Sequence, residues 1–121
     1  MQGLCLLVDQ KKPDDYVFAT GRLHSVKDFV NIAFEQAGIN LEWSGKDLDE
    51  VAKNTDTHQV VVRIDQRFYR PGDIAGTCGD ATKSKQALGW SPTTSLETII
   101  SKMIRHEQGA RTPKTNQSRE A

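Results

Sequence analysis

Tyr16-Val17-Phe18-Ala19-Thr20 is the stretch that most constrains this chain. It is an almost continuous apolar run of strand length, set between the polar break Lys11-Lys12-Pro13-Asp14-Asp15 and Gly21. Such a run fits a strand buried on both faces, as in a parallel sheet. A helix follows at once. Ser25 is a good N-cap and Asp28 places a carboxylate in the first turn, at the positive end of the helix dipole. Val26, Phe29, Val30, Ala33, Phe34 and Ala37 then repeat at i, i+3, i+4, i+7 up to a stop at Gly38. Strand, turn and helix in that order predict an α/β chain. At 121 residues, 36% of them apolar, it holds one domain at most and cannot cover both faces of that strand well.

The remaining elements follow from local pattern. Leu4, Leu7 and Val8 have helical spacing with no cap before them, so the first helix is expected to begin mid-element. Residues 39–43 predict a short strand and residues 44–57, polar and without period, a loop. Val60, Val61, Val62 and Ile64 predict a strand over 58–65, and residues 74–78 a short extended stretch. Asp80 is expected to cap a helix over 81–88 that Gly89 closes, with the Trp90 ring buried beneath it. Thr94 and Glu97 predict a capping box for a last helix whose apolar stripe is Leu96, Ile99, Ile100, Met103 and Ile104. Residues 110–121, with only alanines as apolar groups, are expected to be a disordered tail after a folded portion over 1–109.

Charge and cysteine use narrow the function classes. Formal net charge is zero, so no global field gathers nucleic acid or an anionic membrane, and any anion must be held by local geometry. Cys5 and Cys78 have no metal-ligand spacing and form no disulfide framework; they are expected to be small buried groups in a reducing compartment. No apolar run approaches the roughly 20 residues of a membrane span. The first residues lack the basic flank of a secretory signal, so a cytoplasmic protein is expected.

Chemistry concentrates in Asp65-Gln66-Arg67-Phe68-Tyr69-Arg70-Pro71-Gly72-Asp73-Ile74. A guanidinium fork suits the oxygens of a diphosphate, and an Asp three residues past Arg70 can accept from both hydroxyls of a ribose. Pro71 fixes the backbone between them and pushes Arg70 towards an extended conformation. The competing reading is a solvated loop, since Arg-Pro-Gly-Asp is also common turn chemistry. No phosphate-binding glycine loop accompanies the segment, because Gly72, Gly76 and Gly79 fail the spacing. Tyr16 and Tyr69 are followed four residues later by Thr20 and Asp73, so a Tyr-x-x-x-Lys pair is absent as well. His24, His58 and His106 are scattered, and only His24 follows a predicted strand end, where open α/β sheets place ligands. The sequence therefore carries a candidate binding loop, with no catalytic, cofactor-binding or metal-ligating residue assigned.

Several blocks resemble the C-terminal part of the GDP-mannose 4,6-dehydratase family, within the extended short-chain dehydrogenases/reductases. They are Pro13-Asp14-Asp15-Tyr16-Val17-Phe18-Ala19-Thr20-Gly21, His24-Ser25-Val26 with Phe29, Val60-Val61-Val62, Asp65-Gln66-Arg67-Phe68-Tyr69-Arg70-Pro71, Gly79-Asp80-Ala81-Thr82-Lys83, Leu88-Gly89-Trp90 and Pro92. The resemblance implies the C-terminal substrate-binding portion of a Rossmann-type enzyme, incomplete without an N-terminal cofactor domain. It implies further that Arg70 contacts the diphosphate of a GDP-sugar, that Asp73 binds the ribose and that Arg67 supports them. Members use NADP, form homo-oligomers and convert GDP-mannose to GDP-4-keto-6-deoxymannose on the route to GDP-fucose. The glycine-rich turn and the Tyr-x-x-x-Lys pair that do this are not in the chain, so a fragment is expected, one that binds no NADP alone. The family has Arg-Pro-x-Glu-Val where this chain has Asp73 and Ile74, and Arg-Pro-Gly-Asp is similar to the UDP-galactose 4-epimerases. An epimerase-like UDP-sugar enzyme and a free-standing sugar-nucleotide binding module are the alternatives.

Overall fold

The computed structural model describes residues 1–111. Helix α2 (Val26–Gln36) starts where the sequence provides a complete capping box. Ser25 Oγ accepts from the Asp28 N–H at 3.0 Å, and Asp28 Oδ2 accepts from the Ser25 N–H at 3.0 Å. Gly38, at φ 78°, takes the left-handed conformation just past the helix end. The chain then builds a three-stranded antiparallel sheet from β1 (Leu41–Ser44), β2 (Val51–Asn54) and β3 (Val60–Arg63), in the order β1-β2-β3.

Register explains which face of the sheet is covered. Trp43 lies opposite Ala52, and Ala52 opposite Val62, so the alternation places these three on one face. Ala52 is fully buried. Trp43 ties the sheet to α2 by donating from Nε1 to Asn31 Oδ1 at 2.7 Å, and Lys27 lies over the indole, 4.5 Å from its centre, while pairing with Glu50. On its other side α2 packs against α4 (Leu96–Arg111). Ile100 is buried there, and Gln36 Nε2 donates to the Glu97 carbonyl at 2.9 Å.

A second cluster holds α1 (Gln2–Val8) and α3 (Thr82–Leu88) around residues 13–20. Here the predicted strand over 16–20 is not formed: the segment lies outside helix and strand and pairs with no other strand among the described residues. Its apolar residues remain legible as a packing segment, and side chains replace the missing ladder. Ser84 Oγ donates to the Val17 carbonyl at 2.6 Å, Lys83 Nζ donates to the Asp15 carbonyl at 2.9 Å, and the Phe18 ring meets Trp90 edge-on at 5.0 Å. Gly76 faces Leu23 and Gly79 faces Ala19, so residues 74–84 run antiparallel along 15–23 without strand pairing.

Other expectations shift in detail. Residues 44–57 are no plain loop: they hold a 3-10 turn, Asp47–Asp49, and β2, the central strand. The sequence hides β2 because Val51 and Ala52 are its only apolar residues, and partners on both sides supply its order. The cap of α4 is Ser95 instead of a Thr94 and Glu97 box, since the helix starts one residue later and Ser95 Oγ accepts from the Thr98 N–H. The α4 stripe divides, with Ile100 facing α2 and Ile99 and Met103 exposed. Asp80 accepts from the Thr82 N–H, so α3 begins one residue later than predicted, and Gly89 closes it at φ 65°. Trp90 is half-buried beside it. Cys5 and Cys78 are exposed, because Gly3 is the residue α1 buries and Cys78 lies between the 3-10 turn Gln66–Phe68 and α3, where residues 66–80 are all exposed. The extended stretch expected over 74–78 forms no strand and bends at Ala75. Helix α4 continues past Gly109 to Arg111, and the rest of the expected tail, 112–121, lies outside the described residues. Among the described residues no helix is long and apolar enough to cross a membrane.

Candidate functional site

The end of β3 delivers Asp65 to a single 3-10 turn, Gln66–Phe68. An Asp at this place bonds its own backbone two residues on. Asp65 Oδ1 accepts from the Arg67 N–H at 3.0 Å, while the Asp65 and Gln66 carbonyls accept from the Phe68 and Tyr69 N–H groups at 3.0 and 3.3 Å. The turn then hands the chain to Tyr69, extended at φ −72° and ψ 129°, and on to Arg70 and Pro71. Gly72 at φ 91° reverses the chain in a conformation that a side chain would strain. The Asp73 N–H closes that turn on the Arg70 carbonyl at 3.3 Å.

The sequence-predicted residues fall into two states. Arg67 is engaged: its Nε donates to both Asp65 carboxylate oxygens at 3.1 Å, and its Nη2 donates to Oδ2 at 2.6 Å. Its guanidinium also lies 5.6 Å from the centre of the Phe68 ring. The pair shifts both titrations in the directions an ion pair requires. The Arg67 guanidinium holds the Asp65 carboxyl below its ordinary value, and Asp65 raises Arg67. Arg70 and Asp73, by contrast, have exposed side chains with no hydrogen bond or ion pair among the described residues. They stand at the two ends of one tight turn, a cation and an anion presented to solvent. Phe68 and Tyr69 beside them expose 78% and 54% of their surface, too much for core residues.

A cleft of about 410 Å³ follows directly in the chain. Ile74, Ala75, Gly76 and Thr77 form one wall, and Leu23, His24, Ser25 and Asp28 the other. His24 also lines a second cleft of about 300 Å³ with Arg22, residues 92–95 and Glu97. Glu97 sits below its ordinary value there, chiefly through its own N–H and Ser95, with His24 and Arg22 adding to the effect. No group of three or more His, Cys, Asp or Glu side chains able to hold a metal occurs among the described residues. The residue that sequence reasoning missed is Asp65, whose signal is its position two residues ahead of Arg67.

Comparison with known proteins places these elements. A family model described as GDP-mannose 4,6 dehydratase matches residues 1–103, which include the whole segment from Asp65 to Asp73. A GDP-mannose 4,6-dehydratase of Sinorhizobium fredii is 38% identical over 107 residues, 88% of this chain and 30% of that protein. A human GDP-mannose 4,6 dehydratase is 35% identical over 104 residues, 86% of this chain and 28% of that one. One from Yersinia enterocolitica is 33% identical over 109 residues, 82% and 29%. The chain spans less than a third of the length of these curated relatives. By the extent of these matches, the chain belongs to the GDP-mannose 4,6-dehydratase family.

Proposed function

We propose that this chain supplies the nucleoside-diphosphate-binding part of an enzyme that converts GDP-mannose to GDP-4-keto-6-deoxymannose. The observation that carries the reading is the pairing of an unengaged Arg70 with an unengaged Asp73 across one turn. Arg70 neutralises and orients the diphosphate, and Asp73 accepts from the ribose diol. Arg67 supports them. The three relatives are named for the same dehydration of GDP-mannose, and the matched region contains this turn.

The cofactor proposed for the whole protein is NADP, which supplies hydride transfer when bound. The described residues of this chain do not fit it. The sheet is antiparallel, and none of the glycines with positive φ (Gly21, Gly38, Gly45, Gly72, Gly89) lies between a parallel strand and a helix. No hydride step is therefore assigned to these residues. Cofactor binding and proton transfer belong, in this reading, to a Rossmann-type N-terminal domain of the short-chain dehydrogenase/reductase kind, and residues 1–109 to the substrate-binding portion. The 16–20 segment, with apolar side chains and no strand partner among the described residues, is a fitting place for that domain's sheet to continue. Homo-oligomeric assembly belongs to the same proposal.

Calorimetric titration with GDP and with UDP tests it. GDP is expected to bind, and Arg70→Ala to weaken binding by roughly tenfold or more, the usual worth of a hydrogen-bonded charged contact. UDP preference would move the reading to an epimerase-like enzyme. A chain with a cooperative thermal transition and no GDP binding would overturn it.

A further inference from the structure

We infer that Asp65 is the positioning residue of this site: it locks the turn that aims Arg70, and Arg67 supports the site by completing that lock instead of touching the ligand. The inference rests on the nucleotide-binding reading above and deepens it.

Asp65 holds the turn from two directions. Its carbonyl accepts from the Phe68 N–H, and its carboxylate accepts from the Arg67 N–H, Nε and Nη2. One edge of the guanidinium fork is thereby committed to a residue only two positions away. The remaining contact of that guanidinium, above the Phe68 ring, stays within the same turn. Moving Arg67 to a diphosphate would surrender three hydrogen bonds and leave the Asp65 carboxylate beside an incoming anion. Arg70 has the opposite character, with a free fork at the exit of the ordered turn. A guanidinium on an ordered backbone loses less conformational freedom when a ligand fixes it, so a locked turn strengthens the Arg70 contact without adding one.

The alternative assignment has Arg67 grip the diphosphate while Asp65 competes for it. It predicts the opposite sign on removing the Asp65 charge, because the fork would be released and a repelling carboxylate lost.

The test is GDP titration of the wild-type chain, Asp65→Asn, Arg67→Ala, the double variant, and each with Arg70→Ala added. Amide hydrogen exchange at Phe68 is followed without ligand. Asp65→Asn and Arg67→Ala are each expected to weaken GDP binding about threefold to tenfold, the scale of an exposed but bidentate pair. The double variant is expected to be no weaker than either single one, since both break one lock. The further loss from Arg70→Ala is expected to shrink in the Asp65→Asn background, which general destabilisation would not produce. Arg67→Lys, lacking the fork, is expected to fail to restore affinity. Faster Phe68 N–H exchange in both single variants supports the role. GDP binding that is unchanged or tighter in Asp65→Asn, or losses that multiply in the double variant, would overturn it. A wild-type chain that binds no GDP overturns the nucleotide reading and this role together, whereas wild-type binding with an indifferent Asp65→Asn overturns this role alone.

Discussion

Gly79→Ala is expected to destabilise the chain, although φ at this glycine lies outside the region that L side chains avoid. A Cβ there would stand 2.5 Å from the Ala19 Cβ and 3.3 Å from the Val17 Cγ1. Carbon atoms in contact prefer about 3.5–4.0 Å, so the methyl needs about 1 Å more room. Ala19 has no rotamer to turn, and the two residues before it are held, Val17 by Ser84 Oγ on its carbonyl and Phe18 by its ring against Trp90. Overpacking of this kind costs about 1–3 kcal/mol, while removing a glycine from the unfolded chain returns about 0.4–1 kcal/mol. The net is a loss of about 1–2 kcal/mol, near 5 °C in melting temperature for a chain of this size. Thermal and urea unfolding of Gly79→Ala read it directly. Ala19→Gly in the same molecule should recover most of the loss by clearing the contact, a coupling that neighbours share and distant sites lack. Gly109→Ala is the control of opposite sign, with open space around its Cβ and a place inside α4, where alanine is better than glycine by up to about 1 kcal/mol. A midpoint unmoved by Gly79→Ala, or no recovery with Ala19→Gly, would refute the close apposition of 74–84 on 15–23.

Three further outcomes test other parts of the molecule. Ser25→Ala removes the side-chain half of the α2 capping box and is expected to cost about 0.5–2 kcal/mol in urea unfolding. His58 holds φ 56° in the β2–β3 connection, where its N–H donates to the Asn54 carbonyl at 2.8 Å, so His58→Gly should raise the unfolding midpoint by relieving left-handed strain of about 1 kcal/mol. Lys83 Nζ pairs with Asp14 Oδ2 at 2.8 Å and holds that carboxyl below its ordinary value of 3.8, so Lys83→Met should move its titration midpoint, followed by carbon NMR, up towards 3.8. A lowered carboxyl stabilises the fold fully above its unfolded value and loses that contribution as pH falls through the folded one. Acid below about pH 4 should therefore weaken the tie between residues 13–20 and α3 in the wild-type chain more than in the variant.

How much of the molecule could be read in advance depended on how local each signal was. α2 was legible from end to end because its cap, apolar spacing and closing glycine lie within fifteen residues and act on one another. β3 was visible in three consecutive valines. β2 was not, because Val51-Ala52-Lys53-Asn54 has little intrinsic preference and becomes a strand only through β1 and β3. The 16–20 run misled in the other direction. Its residues prefer a buried strand, but a ladder needs a neighbour, and the chain satisfies the segment through Ser84, Lys83 and Trp90, 67 or more positions away or reached only through packing. The cysteines were misread for a related reason, since residue type speaks for burial only where the backbone turns that position inward.

At the candidate site the same distinction separates Arg67 from Arg70. The sequence presents two arginines three residues apart as equals, and diphosphate chemistry suits either. What divides them is a competition settled within the turn: a carboxylate two positions before Arg67 captures its fork, whereas the Arg70 side chain has no hydrogen bond or ion pair among the described residues. With formal net charge at zero, net charge gives no overall attraction for an anion, so in the proposed reading affinity rests on local cations whose direction is fixed beforehand. Spending one arginine on order and leaving the other free meets that requirement with two side chains. Exchanging their roles, by Asp65→Ala with a new carboxylate two positions before Arg70 at Phe68→Asp, would leave the net charge unchanged. If direction matters more than charge count, that charge-neutral exchange should weaken GDP binding as much as losing Arg70, and wild-type affinity in it would show that the number of arginines alone decides.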